Sequence, residues 1–139
     1  MATPSLDLLR GVPLFSGLDD SLLTRLSGEF FEKTFSDGDA IATEGEAGRT
    51  FVVIDTGAVS VSIQGKQVST LGPGQAFGEM ALIDKSARSA TVTAVGAAHC
   101  YLMPVWSFRP IVEEHPEMTW ALLESLAQLV RDIGTRSSG

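Results

Sequence analysis

The segment 77–92, FGEMALIDKSARSATV, holds the residues best placed to do chemistry. Phe77-Gly78-Glu79-Met80-Ala81-Leu82-Ile83 sets good helix formers directly after a glycine, which predicts a short helix inserted between strands. The start of such a helix presents backbone N–H groups to an anion. A short loop later comes Arg88, followed by Ser89, Ala90 and a β-type run from Thr91. A phosphodiester shares one negative charge between two free oxygens, and a planar guanidinium meets that pair with parallel charge-assisted hydrogen bonds. Glu79 has the wrong sign for phosphate and the right one to accept from a sugar hydroxyl. Placed near Arg88, its carboxylate would also help to hold the guanidinium. The segment therefore reads as a sugar-phosphate receptor.

Other reactive residue types do not form a competing constellation. His99 and His115 stand apart, in no H-x-H or H-x-x-x-H pair, so no metal site is expected. No nucleophile elbow, phosphate-binding Walker loop or zinc motif occurs, and no catalytic residue is assigned. Ser60 and Ser62 alternate with Val59, Val61 and Ile63, which reads as a half-buried strand with the serines turned outward. Trp120 is read as packing on an amphipathic helix rather than as a stacking residue. Cys100, the single cysteine, excludes an internal disulfide and is read as a small buried hydrophobe in a reducing compartment.

The elements that must position this segment follow from periodicity and turn chemistry. At the amino end, Thr3 can cap and Pro4 suits a first helical position, with Leu6 and Leu9 on one face and Gly11 ending the turn. Val12-Pro13-Leu14-Phe15 forms an apolar corner, and Asp19 or Asp20 can cap a helix bearing Leu22, Leu23 and Leu26. From Phe30 to Met103 short β-type runs take over: FFEKTF, AIATE, TFVVID, AVSVSI, QVSTL, SATVTAV and HCYLM. Turns are expected at 36–38, 45–48, Thr56-Gly57, Gln64-Gly65 and 72–74. Runs this short favour an antiparallel β-roll of jelly-roll type over a parallel sheet. Helix returns after Met103, with Ser107 capping Phe108 to Glu114 and His115-Pro116 interrupting it. An amphipathic helix then runs from Glu117 to about Gly134, which is read as its stop.

The whole chain bounds what the site can serve. Its 139 residues allow one domain with a real core, and 44% hydrophobic with 19% charged residues is ordinary globular composition. The expected layout is N-terminal helices over 1–28, a β-roll over 29–103 containing the segment 77–92, C-terminal helices over 104–134 and a flexible tail over 135–139. Ten basic against seventeen acidic residues give a net charge of −7, which disfavours nucleic acid and anionic membranes as direct partners. No apolar stretch approaches the ~20 residues that span a bilayer, so the expectation is a soluble, cytoplasmic chain.

At FGEMALI, DKSA and RSATV the chain resembles the phosphate-binding cassette of the cyclic nucleotide-binding domain family, typified by the catabolite activator protein, the regulatory subunits of protein kinase A and cyclic-nucleotide-gated channels. VPLFSGL, EGEAGRTFVVIDTGAVSV and LGPGQAFGE extend the resemblance over most of Leu9 to Leu129. It implies that Arg88 binds the cyclic phosphate and Glu79 the ribose 2′-hydroxyl. It also implies that the backbone of Gly78, Met80 and Ala81 lines the sugar-phosphate and that Ser89, with Ala90 beside it, contacts phosphate or base. Ala87 departs from the proline common in the family and implies a less rigid loop. Ser89 points to cAMP over cGMP. The resemblance implies a cyclic nucleotide as ligand with no further cofactor, and the expectation is that Leu82 or Ile83 passes its arrival to the helices after Pro104. The effector, a protein or a fused domain, is not named by the residues. A second reading keeps the fold and drops the ligand, with Leu122, Leu126, Leu129 and Ile133 of the last helix forming a homodimer face.

Overall fold

The structure, a computed structural model, describes residues 2–84 and 86–138, with side chains up to residue 134. The first helix, α1, spans Leu6–Arg10 and is capped by Ser5, whose hydroxyl accepts from the Leu8 N–H at 3.1 Å. The cap thus falls two positions beyond Thr3, because Pro4 is engaged elsewhere: its carbonyl accepts from the buried Ser27 hydroxyl at 2.7 Å. Gly11 ends the helix as expected. Pro13–Phe15 forms a single 3₁₀ turn. Helix α2, Asp20–Ser27, is capped by Asp19 through the Leu22 N–H at 2.9 Å. Its buried face is Leu22, Leu23 and Leu26.

Among the described residues six strands follow in antiparallel pairing: β1 Phe31–Phe35, β2 Ala40–Ala42, β3 Thr50–Ile63, β4 Lys66–Leu71, β5 Ala76–Phe77 and β6 Thr91–Pro104. The path is β1-β6-β3-β4, with β2 added to β6 and β5 to β3. This is the β-roll the sequence predicts, with two corrections. TFVVID and AVSVSI are a single strand, and Thr56-Gly57 is a bulge rather than a turn. Gly57 explains it: at φ +90° its Cα faces β6 so closely that a Cβ would lie 2.3 Å from the Ala97 carbonyl oxygen. The chain bends against its neighbour there without leaving it. SATVTAV and HCYLM are likewise joined into β6.

Two apolar clusters result. One, inside the roll, contains Phe35, Val52, Ile54, Val59, Val92, Cys100 and Leu102. The other joins the sheet to the helices through Leu14, Phe15, Phe51, Met103, Phe108 and Ile111. In the alternating run only Val59 is buried, whereas Val61 is half-buried and Ile63 exposed, because the far end of β3 projects past the core.

Helix α4, Phe108–Glu114, follows a 3₁₀ turn at Val105–Ser107. Ser107 stands at the cap position but makes no side-chain cap bond, since its backbone is already helical. Helix α5 spans Met118–Ser138 and passes through Gly134 instead of stopping there. Residues 135–138 of the expected tail are thus helical, and Gly139 lies outside the described residues. Met118 and Leu122 of α5 enter the helical core, and Ala121 sits against Gly17. Leu126 packs against the same core, so half of the proposed dimer face is covered by the chain itself, while Ile133 stays exposed.

Candidate functional site

The cassette leaves the sheet where β5 ends. Pairing of Phe77 with Val52 on β3 brings the next residue, Gly78, over Thr50. Gly78 has φ +87°, and a Cβ on it would meet the Arg88 Nη1 at 2.4 Å and the Thr50 carbonyl oxygen at 3.0 Å. Only glycine fits both the backbone and the space. A turn at Glu79-Met80 leads into α3, Ala81–Asp84, the short inserted helix. On the return, Asp84 accepts from the Ser86 N–H at 3.0 Å, and Ala87 forms a bridge to Ala47. Arg88 is pinned through its main chain, donating to the Glu46 carbonyl at 2.8 Å and accepting from the Gly45 N–H at 2.9 Å.

The Arg88 side chain is half-buried. Its Nη2 donates to the Thr50 carbonyl at 2.5 Å and reaches the Thr50 hydroxyl at 3.3 Å, and its guanidinium lies 5.7 Å from the centre of the Phe77 ring. Burial pushes its pKa below the ordinary guanidinium value. Among the described residues no carboxylate pairs with it within 4 Å, Glu79 included. The expected role of Glu79 in holding the guanidinium is therefore filled by Thr50. Nothing local in the sequence marks Thr50, which owes its place to the start of β3.

Glu79 is partly buried, and its Oε2 is shielded from solvent without a hydrogen-bond partner among the described residues. Burial raises its pKa above the ordinary carboxyl value, and the Leu14 backbone amide opposes that rise. An orphaned acceptor of this kind costs ~1–3 kcal/mol until a donor reaches it. A hydroxyl-bearing ligand is the natural supplier.

All seven residues singled out in the sequence, Gly78, Glu79, Met80, Ala81, Arg88, Ser89 and Ala90, line one cavity of about 250 Å³. Phe77, Ser86, Ala87, Ala42 and Val92 complete its wall. Phe77 thus both anchors the cassette and faces the cavity. Sequence reasoning missed Ala42, which arrives through pairing of β2 with β6 across a long chain separation. Trp120 is 70% exposed on α5 and outside this lining. The cavity offers one cation, one orphaned acceptor and a backbone turn, equipment for holding a small anion that carries hydroxyls.

Elsewhere, His99 bridges Glu32 and Asp55, with ring nitrogens 2.9 and 3.0 Å from their carboxylates. Among the described residues no group of histidine, cysteine and carboxylate side chains could hold a metal. Cys100 is buried, and its thiol is pushed up to about 11, which keeps it protonated. No described helix is long and apolar enough to cross a membrane.

With this geometry in place, the chain matches the cyclic nucleotide-binding domain family over residues 32–115. The chain belongs to that family. The match begins in β1 and ends just past α4, so it takes in the whole cassette. Glutaminase 1 of Bradyrhizobium diazoefficiens is 36% identical over 121 residues, which is 86% of this chain and 20% of that protein. This chain therefore spans about a fifth of that relative's length. Among solved structures, the N-terminal domain of a transcriptional regulator from Streptomyces coelicolor A3(2) superposes with a TM-score of 0.83 at 30% identity, covering 91% of this chain and 94% of the other. A structure described as cAMP-bound PfPKA-R (141–441) superposes with a TM-score of 0.69 at 25% identity, covering 93% and 46%. The β-roll with flanking helices is thus the fold of this regulatory family.

Proposed function

We propose that this chain is a cAMP-binding regulatory module, in which Arg88 takes the cyclic phosphate and Glu79 the ribose 2′-hydroxyl. The observation that carries the reading is the pairing of opposites in one cavity: a guanidinium without an anionic partner and a buried carboxylate oxygen without a donor among the described residues, both on residues that line the space around Gly78. A cyclic nucleotide supplies the phosphate for one and the hydroxyl for the other. Gly78, Met80 and Ala81 present backbone to the sugar-phosphate, and Ser89 and Ala90 meet phosphate or base. Ser89 inclines the site to cAMP over cGMP, and the cAMP-bound structural neighbour supports that choice. The chain acts by binding and not by catalysis. A single cysteine, Cys100, is in keeping with a reducing, cytoplasmic setting.

The output runs through Leu82. It is buried in the cluster that holds Val105 and Phe108, so movement of the cassette displaces the helical layer directly. A ligand shifts that arrangement only by its difference in affinity for the two positions. The part receiving the shift is a partner or a fused effector, since relatives carry this domain in proteins as different as a glutaminase and a transcriptional regulator.

Calorimetric titration of the chain with cAMP tests the reading, with cGMP alongside and Arg88→Leu as the variant. We expect saturable heat with cAMP, weaker binding of cGMP, and loss of most binding in the folded variant. Absence of heat at high micromolar cAMP, or unchanged binding by the variant, sinks it.

A further inference from the structure

Arg88 borders a second cavity, of about 530 Å³, lined by Ile41, Ala42, Thr43, Glu46, Ala47, Arg49, Thr50 and Arg88. Ala42 and Arg88 line both cavities, so the second adjoins the first across that guanidinium. Its wall is held by main-chain bonds at three points. Glu46 accepts from the Arg88 N–H at 2.8 Å, Ala47 bridges to Ala87, and the Arg49 carbonyl accepts from the Val105 N–H at 3.0 Å. The Arg49 side chain is exposed and, among the described residues, pairs with no carboxylate. Two arginines and two threonines therefore stand among its lining residues, with Glu46 the one acid in that lining. In a chain of net charge −7, this is a local excess of positive charge.

We propose that this cavity is a second anion site, which takes a phosphate-class oxyanion between Arg49 and Arg88 and is coupled through Arg88 to the first. Several lines of chemistry select that class. A tetrahedral oxyanion offers acceptors in more than one direction, which suits two guanidinium forks and hydroxyl donors together. A carboxylate keeps its lone pairs in one plane, so it serves two guanidiniums only where both approach in that plane. The volume leaves room for the anion's water or for the group that carries it. Because one guanidinium serves both cavities, and the anions repel, filling either site weakens the other by the same factor. The coupling rests on the reading of Arg88 as the cyclic-phosphate residue. The existence of the second site does not.

The test is a heteronuclear NMR titration of the chain with inorganic phosphate in the absence of nucleotide, against chloride at matched ionic strength. We expect saturable shifts at the amides of Thr43, Glu46, Ala47 and Thr50 that chloride does not produce. Arg49→Gln, a change at an exposed side chain, should weaken the phosphate response roughly tenfold, as removal of one charge-assisted contact does. With cAMP as second titrant, the wild type should need more ligand in phosphate than in chloride, and the variant should not. 5′-AMP in place of phosphate separates the sources: shifts in both amide groups indicate a phosphate borne by the nucleotide, and shifts only at 43–50 indicate that the phosphate alone is read. The proposal is overturned if phosphate acts no differently from chloride, if its shifts are confined to residues 78–81, or if Arg49→Gln responds like the wild type. Failure of cAMP to bind would remove the first-site reading and leave the phosphate titration intact.

Discussion

Gly78→Ala isolates the contact that aims Arg88. The added methyl brings two separate penalties. The backbone at φ +87° is left-handed, which costs an alanine roughly 1–2 kcal/mol. The Cβ would also fall 2.4 Å from Arg88 Nη1, against ordinary contacts of about 3.5–4.0 Å, so the guanidinium must retreat by about 1 Å. The Thr50 carbonyl, 3.0 Å from the same Cβ, is main chain of β3 and closes the other escape. Losing one charge-assisted hydrogen bond of about 1.5–3 kcal/mol lowers cyclic nucleotide affinity by roughly ten- to a hundredfold. Gly74→Ala supplies the control, because its φ is +85° and nothing lies within 4 Å of the point its methyl would occupy. It carries the backbone cost without the collision. Urea unfolding should show both variants destabilised, and displacement of a fluorescent cyclic nucleotide should show affinity lost in Gly78→Ala alone. Equal affinity in the two variants would refute the claim that Gly78 sets the position of the guanidinium.

Glu79 gives a pH signature. Its pKa is raised in the ligand-free protein, so stabilisation by the protonated form is present below the ordinary carboxyl value and lost as pH rises through the elevated one. A ribose hydroxyl prefers the ionised carboxylate, so cAMP affinity should fall as pH drops from neutral through that elevated value. Glu79→Gln should flatten this profile and weaken binding, while stabilising the ligand-free chain at neutral pH by roughly 1 kcal/mol; calorimetry across pH with parallel unfolding curves reads both. His99 behaves in the opposite structural sense, stabilised by carboxylates on β1 and β3, with Glu32 the larger cause of its raised pKa. The benefit is present below the ordinary histidine value and lost as pH rises through the elevated one, and partial exposure limits it to about 1 kcal/mol. Urea midpoints of wild type and His99→Gln should therefore converge at alkaline pH, and a constant gap between them would count against the bridge.

What the sequence by itself determined was local chemistry. The guanidinium of Arg88 and the carboxylate of Glu79 keep their preferences in any fold. The glycine before a run of helix formers, an aspartate cap at 19 or 20 and the valine-serine alternation depend on neighbours a few residues away. Those features placed the cassette and the β-roll without reference to distant contacts. The tertiary structure decided everything that depends on register. TFVVID and AVSVSI could not be seen as one strand, because the bulge at Gly57 is set by Ala97 on β6 rather than by its own neighbours. Thr50 has no signature as a holder of Arg88, and Ala42 none as a cavity wall, until strand pairing brings them together. Chemical identity travels with the residue, whereas a partner far along the chain is selected only when hydrogen-bonded strands fix which residues face each other.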